Sequence, residues 1–199
     1  MKELANNTLA NSAPRLSTIE LNKEALNFSI AHFTIFNATE REDLHGHNYQ
    51  LECKATAPLS DTGLLFDYAI LKKMLRAMCD EIDEKMILPS QSPHLEIEHG
   101  NDYTYGIFNG ERIPFLPRDL IILPIANSTV EELSHYFLDR VLNHPDLADA
   151  GIVDQDVDGP VAVGDALTKP AGARDVTQVH LVDGDGACGV DHVVDDDAH

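Results

Sequence analysis

The order of hydrophobic periodicities predicts an α+β domain, an antiparallel sheet with two helices packed on one face. Three observations lead there. Apolar residues alternate through "HNYQLECKATA" (47–57), recur at three- and four-residue steps after Asp67, and do so again after Ser128. A period of two marks a half-buried strand and a period near 3.6 an amphipathic helix.

Taken in order, "LNFSIAHFTIF" (26–36) is a strand candidate, rich in Phe and Ile between polar flanks. The second strand follows at 47–57, with Tyr49, Leu51, Cys53 and Ala55 on one face. Pro58 to Gly63 reads as a loop. Asp67 is placed to cap a helix whose stripe is Ile70, Leu71, Met74, Leu75, Met78, Ile82 and Met86, ended by Pro89. "SPHLEIEHG" is a further strand candidate. "YTYGIFNGERIPF" reads as a hairpin around Asn109-Gly110, a strong short-range turn signal. "DLIILPI" (119–125) is a short buried strand. Ser128 then begins a second helix, with Glu131 at the capping-box position and an apolar stripe of Val130, Leu133, Phe137 and Val141. A last strand is expected after it, and "GIVDQDVDGPVAV" is the candidate.

Composition narrows the function classes. The formal charge of −20 argues against a nucleic-acid or anionic-membrane surface, because phosphate recognition needs clustered Lys and Arg. No run of about eighteen apolar residues is present and the first residues carry no apolar leader, so a cytoplasmic protein is expected. Cys53, Cys79 and Cys188 are scattered and odd in number, suggesting neither disulfides nor a cysteine-rich zinc site.

The charge is uneven. From Pro145 onward there are thirteen Asp against Lys169 and Arg174, no Glu follows Glu132, and no Phe or Tyr follows Phe137. Such a segment has few large apolar groups to offset the entropy of ordering it. Two readings stand side by side: a disordered acidic tail, or a coding frame that slipped near Gly151. The expected division is an N-terminal extension (1–24), a domain (25–150) and an atypical tail (151–199).

"EREDLHGHNYQLE" (40–52) carries the chemistry. Residues i and i+2 of a strand share a face, so His45 and His47 project together, with Gly46 adding no bulk between them. His32, on the preceding strand, is placed to meet them across an antiparallel pair. Three imidazoles with an open fourth position is the pattern of a catalytic zinc site. An isolated His-x-His is otherwise a polar pair without metal.

These segments also resemble a known family. "FSIAH" (28–32), "LHGHNYQLE" (44–52), "GLLFDYAILKKMLR" (63–76), "IDEKMIL" (82–88) with its following "PS", and "NSTVEELSHYF" (127–137) occur in the order seen in the 6-pyruvoyl and 6-carboxytetrahydropterin synthase family. The likeness covers roughly residues 25–143. It implies a tunnelling fold of two-helix, four-stranded units that assemble as a homo-oligomer, trimer or hexamer, around a shared barrel. It implies Zn2+ on His32, His45 and His47, and a pterin substrate, 7,8-dihydroneopterin triphosphate, bound at a subunit interface.

Departures from the family pattern matter as much. Most members carry a cysteine base shortly before the HGH, where this chain has "ATERED". Glu42, three residues before His45, resembles the subgroup with glutamate in that place, associated with cleavage to 6-hydroxymethyl-7,8-dihydropterin. Glu40 is a second candidate. A carboxylate can serve as the base if its pKa is tuned toward neutrality. The family's Asp-His relay appears as Asp83-Glu84, with His94 a further imidazole nearby; the same pair reads equally as a solvated helix end. Thr129 and Glu131 match a pterin-holding helix start, or are only a cap and its partner. The family's pterin-anchoring glutamate near the C-terminus has no counterpart, although Asp156 and Asp158 have the chemistry. Two functions are therefore expected: a zinc-dependent pterin lyase of folate or queuosine type, or a non-catalytic zinc- or pterin-binding homologue.

Overall fold

Two long strands set the frame. In the computed structural model, which describes residues 15–149 and 175–183, β1 (Leu16–His32) pairs antiparallel with β2 (His45–Pro58). Their register places Ile30 opposite His47 and His32 opposite His45. Phe28 and Ile30 on β1, and Tyr49, Leu51 and Cys53 on β2, are buried on one face. β1 starts earlier than the alternation suggested and reaches into the expected extension. Its register shifts between Asn22 and Asn27; there Leu26 turns into the core and Arg76 donates to the Ala25 carbonyl.

Helix α1 (Tyr68–Ile82) is capped by Asp67, whose carboxylate accepts from the Ala69 amide at 3.0 Å. Its stripe of Leu71, Met74, Leu75, Met78 and Ile82 is buried against the β1–β2 face. Each such side chain removed from water contributes about 1.5–3 kcal/mol. The helix stops four residues before the expected Met86. Asp83 is already extended, and Glu84 takes a positive φ of 57°. Met86 lies instead in β3 (Lys85–Pro89), which runs parallel to β1. Met86, Ile87, Leu88 and Pro89 are all buried, the continuous apolar run of a strand covered on both faces. The four-residue step from Ile82 to Met86 imitates helical spacing, and the two residues are in different elements.

A small antiparallel sheet follows: β4 (Leu95–His99), β5 (Thr104–Phe108) and β6 (Glu111–Phe115). Asn109 and Gly110 both have positive φ, 47° and 79°, as a two-residue hairpin turn of right-handed twist requires. Nothing lies within 4 Å of a Cβ built on Gly110, so Gly110→Ala meets only backbone strain. We expect it to lower unfolding free energy by about 1 kcal/mol in urea titration, with the metal centre untouched.

β7 (Leu120–Leu123) pairs parallel with β3. Helix α2 (Val130–Leu142) then lays Leu133, Phe137 and Val141 on the same core as α1. Its N-cap is Thr129, whose hydroxyl accepts from Glu132 N, one residue later than the Ser128–Glu131 box expected. The Ser128 hydroxyl instead donates to Phe33 O at 2.8 Å. A short helix, α3 (Pro145–Asp149), buries Leu147.

The sheet is completed by β8 (Asp175–Asp183), antiparallel to β2 with Leu51 opposite Leu181. The last strand was expected at 151–163, which lies outside the described residues. The strand seen draws on "DVTQVHLVD", whose Val179 and Leu181 are buried. The strand order is β7-β3-β1-β2-β8, a mixed five-stranded sheet with α1 and α2 on its apolar face. Among the described residues no helix is long and apolar enough to cross a membrane.

Candidate metal centre

The histidines complete the apolar stripes rather than interrupting them. His32 follows Phe28 and Ile30 along β1, and His47 and His45 precede Tyr49 and Leu51 on β2. All therefore project to the helix-facing side of the sheet. The three rings meet with centroids 4.7, 4.8 and 5.2 Å apart. Each offers one ring nitrogen, and these atoms all lie within 4.8 Å of one another.

Backbone carbonyls decide which nitrogens are offered. His32 Nδ1 lies 2.6 Å from Ser128 O and His45 Nδ1 2.7 Å from Asp43 O. A carbonyl only accepts, so each Nδ1 carries the proton and each Nε2 presents its lone pair. His45 Nε2 then stands 3.0 Å from His47 Nε2, and His32 Nε2 is buried without a hydrogen-bond partner. An orphaned buried acceptor beside a second lone pair costs free energy unless a cation satisfies them. Nitrogens bound tetrahedrally to zinc sit roughly 3.3 Å apart, from bond lengths near 2.0–2.1 Å. The donor set of His32, His45 and His47 thus fits a metal ion such as Zn2+. His32 is only 4% exposed, and burial lowers its pKa, followed by the neighbouring His45 and His47 charges; the Ser128 carbonyl and Glu42 oppose this only in part. The ring is kept neutral, the form that ligates.

Gly46 has a reason beyond lack of bulk. A Cβ there would meet the Ile30 carbonyl at 3.2 Å, tightening the pairing that brings His32 and His45 together.

Glu42 is the sequence candidate that the chain brings to the histidines. The chain leaves β1, turns at 36–40, and returns so that Ile35 bridges Arg41. Glu42 N donates to Thr34 O at 2.9 Å, and its Oε2 accepts from Thr34 N at 3.0 Å and lies 3.9 Å from His45 Nε2. Partial burial raises the carboxyl pKa, but the Thr34 amide and the His45 and His32 charges together hold it below its ordinary value. Tuning toward neutrality, expected of such a base, is not the direction found. Glu40 is exposed and accepts from Asn37 Nδ2 at 2.7 Å.

The other candidates lie elsewhere in this chain. Asp83 and Glu84 are exposed at the end of α1, where Asp83 Oδ1 accepts from Ser29 N at 2.8 Å and Glu84 N donates to Ser29 O at 2.7 Å. His94 is exposed between β3 and β4. Thr129 caps α2 beside the Ser128 carbonyl that holds His32, and Glu131 is exposed on the first turn. Asp156 and Asp158 lie outside the described residues. Cys53 and Cys79 are buried in the core, and burial pushes both thiols up to about 12, so neither serves as a thiolate.

Asn127 and Ser128 carry no ionisable group and were not legible as site residues. Asn127 Oδ1 accepts from Ile35 N and Ser128 N, both at 3.0 Å, while its Nδ2 donates to Ile35 O at 2.9 Å. This clamp holds the exit of β1 against the start of α2, the seam across which His32 meets Ser128 O. Asn127→Ala leaves those backbone groups without their partner. We expect it to cost about 1–3 kcal/mol by urea titration and to weaken zinc about tenfold by competition with a chromogenic chelator.

Comparison with known proteins agrees with this geometry. The family profile described as 6-pyruvoyl tetrahydropterin synthase matches residues 20–152. A Methanocaldococcus jannaschii protein provisionally named 6-carboxy-5,6,7,8-tetrahydropterin synthase is 32% identical over 126 residues, 62% of this chain and 77% of that protein. The solved 6-pyruvoyl tetrahydropterin synthase of Plasmodium falciparum superposes with a TM-score of 0.60 at 32% identity, covering 64% of this chain and 78% of that one. The Plasmodium vivax enzyme, in a form whose catalytic glutamate is replaced by alanine, gives 0.60 at 29% identity over the same shares. With its profile match spanning most of the domain and its histidine triad in place, this chain belongs to the 6-pyruvoyl tetrahydropterin synthase family.

Proposed function

We propose that the protein is a zinc-dependent lyase acting on 7,8-dihydroneopterin triphosphate, with Glu42 as general base. The observation that carries this is the Glu42 carboxylate, 3.9 Å from Nε2 of a histidine in a three-imidazole cluster, with both described thiols buried away from it. The catalytic glutamate of the Plasmodium vivax relative supports the same assignment.

Zn2+ held by His32, His45 and His47 would polarise the oxygens of the substrate side chain. Glu42, deprotonated and fixed by the Thr34 amide, receives the proton. The proton it takes is assigned to a side-chain hydroxyl polarised by the metal. Removing the proton from the second side-chain hydroxyl turns that carbon into an aldehyde as its bond to the first carbon breaks. The first carbon keeps the electron pair, takes up a proton and stays on the pterin as the 6-hydroxymethyl group, while the aldehyde carrying the triphosphate departs. This favours 6-hydroxymethyl-7,8-dihydropterin over 6-carboxy or 6-pyruvoyl products.

Asp83 and Glu84 remain candidates for the proton relay, and Thr129 and Glu131 for pterin contacts. In one chain Asp83 and Glu84 serve the end of α1, so a relay role requires a second copy to bring them to the site. The expected assembly is therefore a homo-oligomer with its substrate at the interface. The test is incubation of zinc-loaded protein with 7,8-dihydroneopterin triphosphate and identification of products by mass. A 6-hydroxymethyl product supports the reading. A 6-carboxy or 6-pyruvoyl product keeps the lyase and reassigns the bond broken. No product from a zinc-loaded oligomer favours the non-catalytic binding homologue, consistent with a chain whose described residues hold no glutamate after Glu132.

A further inference from the structure

The small β4–β6 sheet contributes no residue to the histidine cluster, yet one side chain ties it to the loop bearing Glu42. Arg41 Nη1 donates to the Glu42 carbonyl at 2.7 Å. Its guanidinium lies over the Phe33 ring at 4.8 Å and the Phe108 ring at 5.8 Å, and Nη2 stands 3.7 Å from Glu111 Oε2. Phe33 follows His32 in the chain; Phe108 is on β5 and Glu111 on β6. Beside this contact the loop and the β5–β6 turn stand apart across a cleft of about 300 Å³, lined by Thr39, Glu40, Asp43 and Asn109. The Arg41 hydrogen bond stays within the loop, while its ion pair with Glu111 reaches β6 and its ring contact with Phe108 reaches β5.

We propose that Arg41 is a positioning residue, which orients the Glu42–Asp43 peptide and so aims both the Glu42 carboxylate and the carbonyl that fixes His45. The chemistry fits the task. The planar guanidinium donates in its own plane while its faces stack on aromatic rings, so one side chain fixes a carbonyl and is itself fixed by two rings. The next carbonyl along, Asp43 O, receives His45 Nδ1. At the other end the Glu42 amide and carboxylate are both hydrogen-bonded to Thr34. Without Arg41, the Glu42–Asp43 peptide between these two anchors loses the hydrogen bond on its carbonyl.

This inference rests on Glu42 being the base, and the test separates the two. Native protein, Arg41→Ala, Arg41→Lys and Phe108→Leu are compared, all loaded with one zinc per chain. Amide hydrogen exchange at Thr34 and Glu42 is read beside that at Leu51 and Leu88. In Arg41→Ala, exchange at Thr34 and Glu42 rises at least about tenfold while the core amides keep their protection. Its kcat falls about 10- to 100-fold, as expected of a misplaced base, with KM changed less than about threefold. Arg41→Lys falls between native and Arg41→Ala, since an ammonium restores one donor but not the planar fork. Phe108→Leu keeps an apolar filler and raises exchange at the same two amides, a check that survives if Arg41→Ala does not fold. Unchanged exchange at Thr34 and Glu42 in the folded variants overturns the proposal, whatever the activity. Equal loss of protection at Leu51 and Leu88 also overturns it, reducing Arg41 to general support. If exchange responds as expected but native protein yields no product, the clamp stands and the pterin lyase reading falls.

Discussion

Replacing His45 with alanine removes high-affinity zinc while leaving the metal-free fold nearly as stable as the native chain. His45 is about a third exposed and its Nδ1 is satisfied by a local carbonyl, so truncation leaves no large cavity. Zinc loses a third of its protein ligands, and its affinity falls at least about 100-fold, beyond the usual cost of a lost outer-shell partner. The effect appears most clearly in thermal melts. Zinc at about a thousand times its dissociation constant stabilises the native state by about 4 kcal/mol. For a chain of this size that raises Tm by roughly 8–16 °C. In His45→Ala the zinc-dependent rise disappears and the metal-free Tm barely moves. His32→Ala behaves differently, because the ring is buried and its Nδ1 proton satisfies Ser128 O. There the metal-free protein is also destabilised, with that carbonyl left unpaired. A zinc-dependent Tm rise that persists in both variants would place the metal elsewhere.

The second large effect is on Glu42. Glu42→Gln keeps the shape and one acceptor for the Thr34 amide but cannot take a proton at neutral pH. Turnover falls about 10²- to 10⁴-fold, the range for losing a general base. Zinc stoichiometry stays at one per chain, since the clustered ligand atoms come from the three histidines. Glu42→Ala loses as much activity and also frees the Thr34 amide. A fall in kcat that tracks zinc loss in either variant would make Glu42 a support for the metal rather than the base.

Much of this was legible in the sequence, because side-chain periodicity reports directly on which residues share a face. His45 and His47 at i and i+2, with His32 on the partner strand, converge as alternation and antiparallel pairing require. Asn109-Gly110 forms the turn its dihedral freedom permits. The illegible parts depend on backbone or on distant sequence. The groups fixing His32 and His45 are the carbonyls of Ser128 and Asp43, which any residue type could supply. Arg41 sits in a charged run that reads as solvated, and only the fold shows its guanidinium between Phe33 and Phe108. Met86 continued a helical spacing by coincidence, since a two-residue reversal at Asp83 and Glu84 is invisible to a periodicity count. β8 lies in a segment whose overall composition reads as a tail, and its pairing with β2, Leu181 opposite Leu51, joins residues far apart in the chain.

Glu42 is proposed to act as the base beside a zinc held by His32, His45 and His47. The most direct test is single turnover of 7,8-dihydroneopterin triphosphate by native protein and Glu42→Gln at equal zinc occupancy, with products identified by mass. A 6-substituted pterin formed by native protein and slowed at least about 100-fold in the variant is the result predicted. Equal rates in the two proteins, with zinc bound in both, would contradict it.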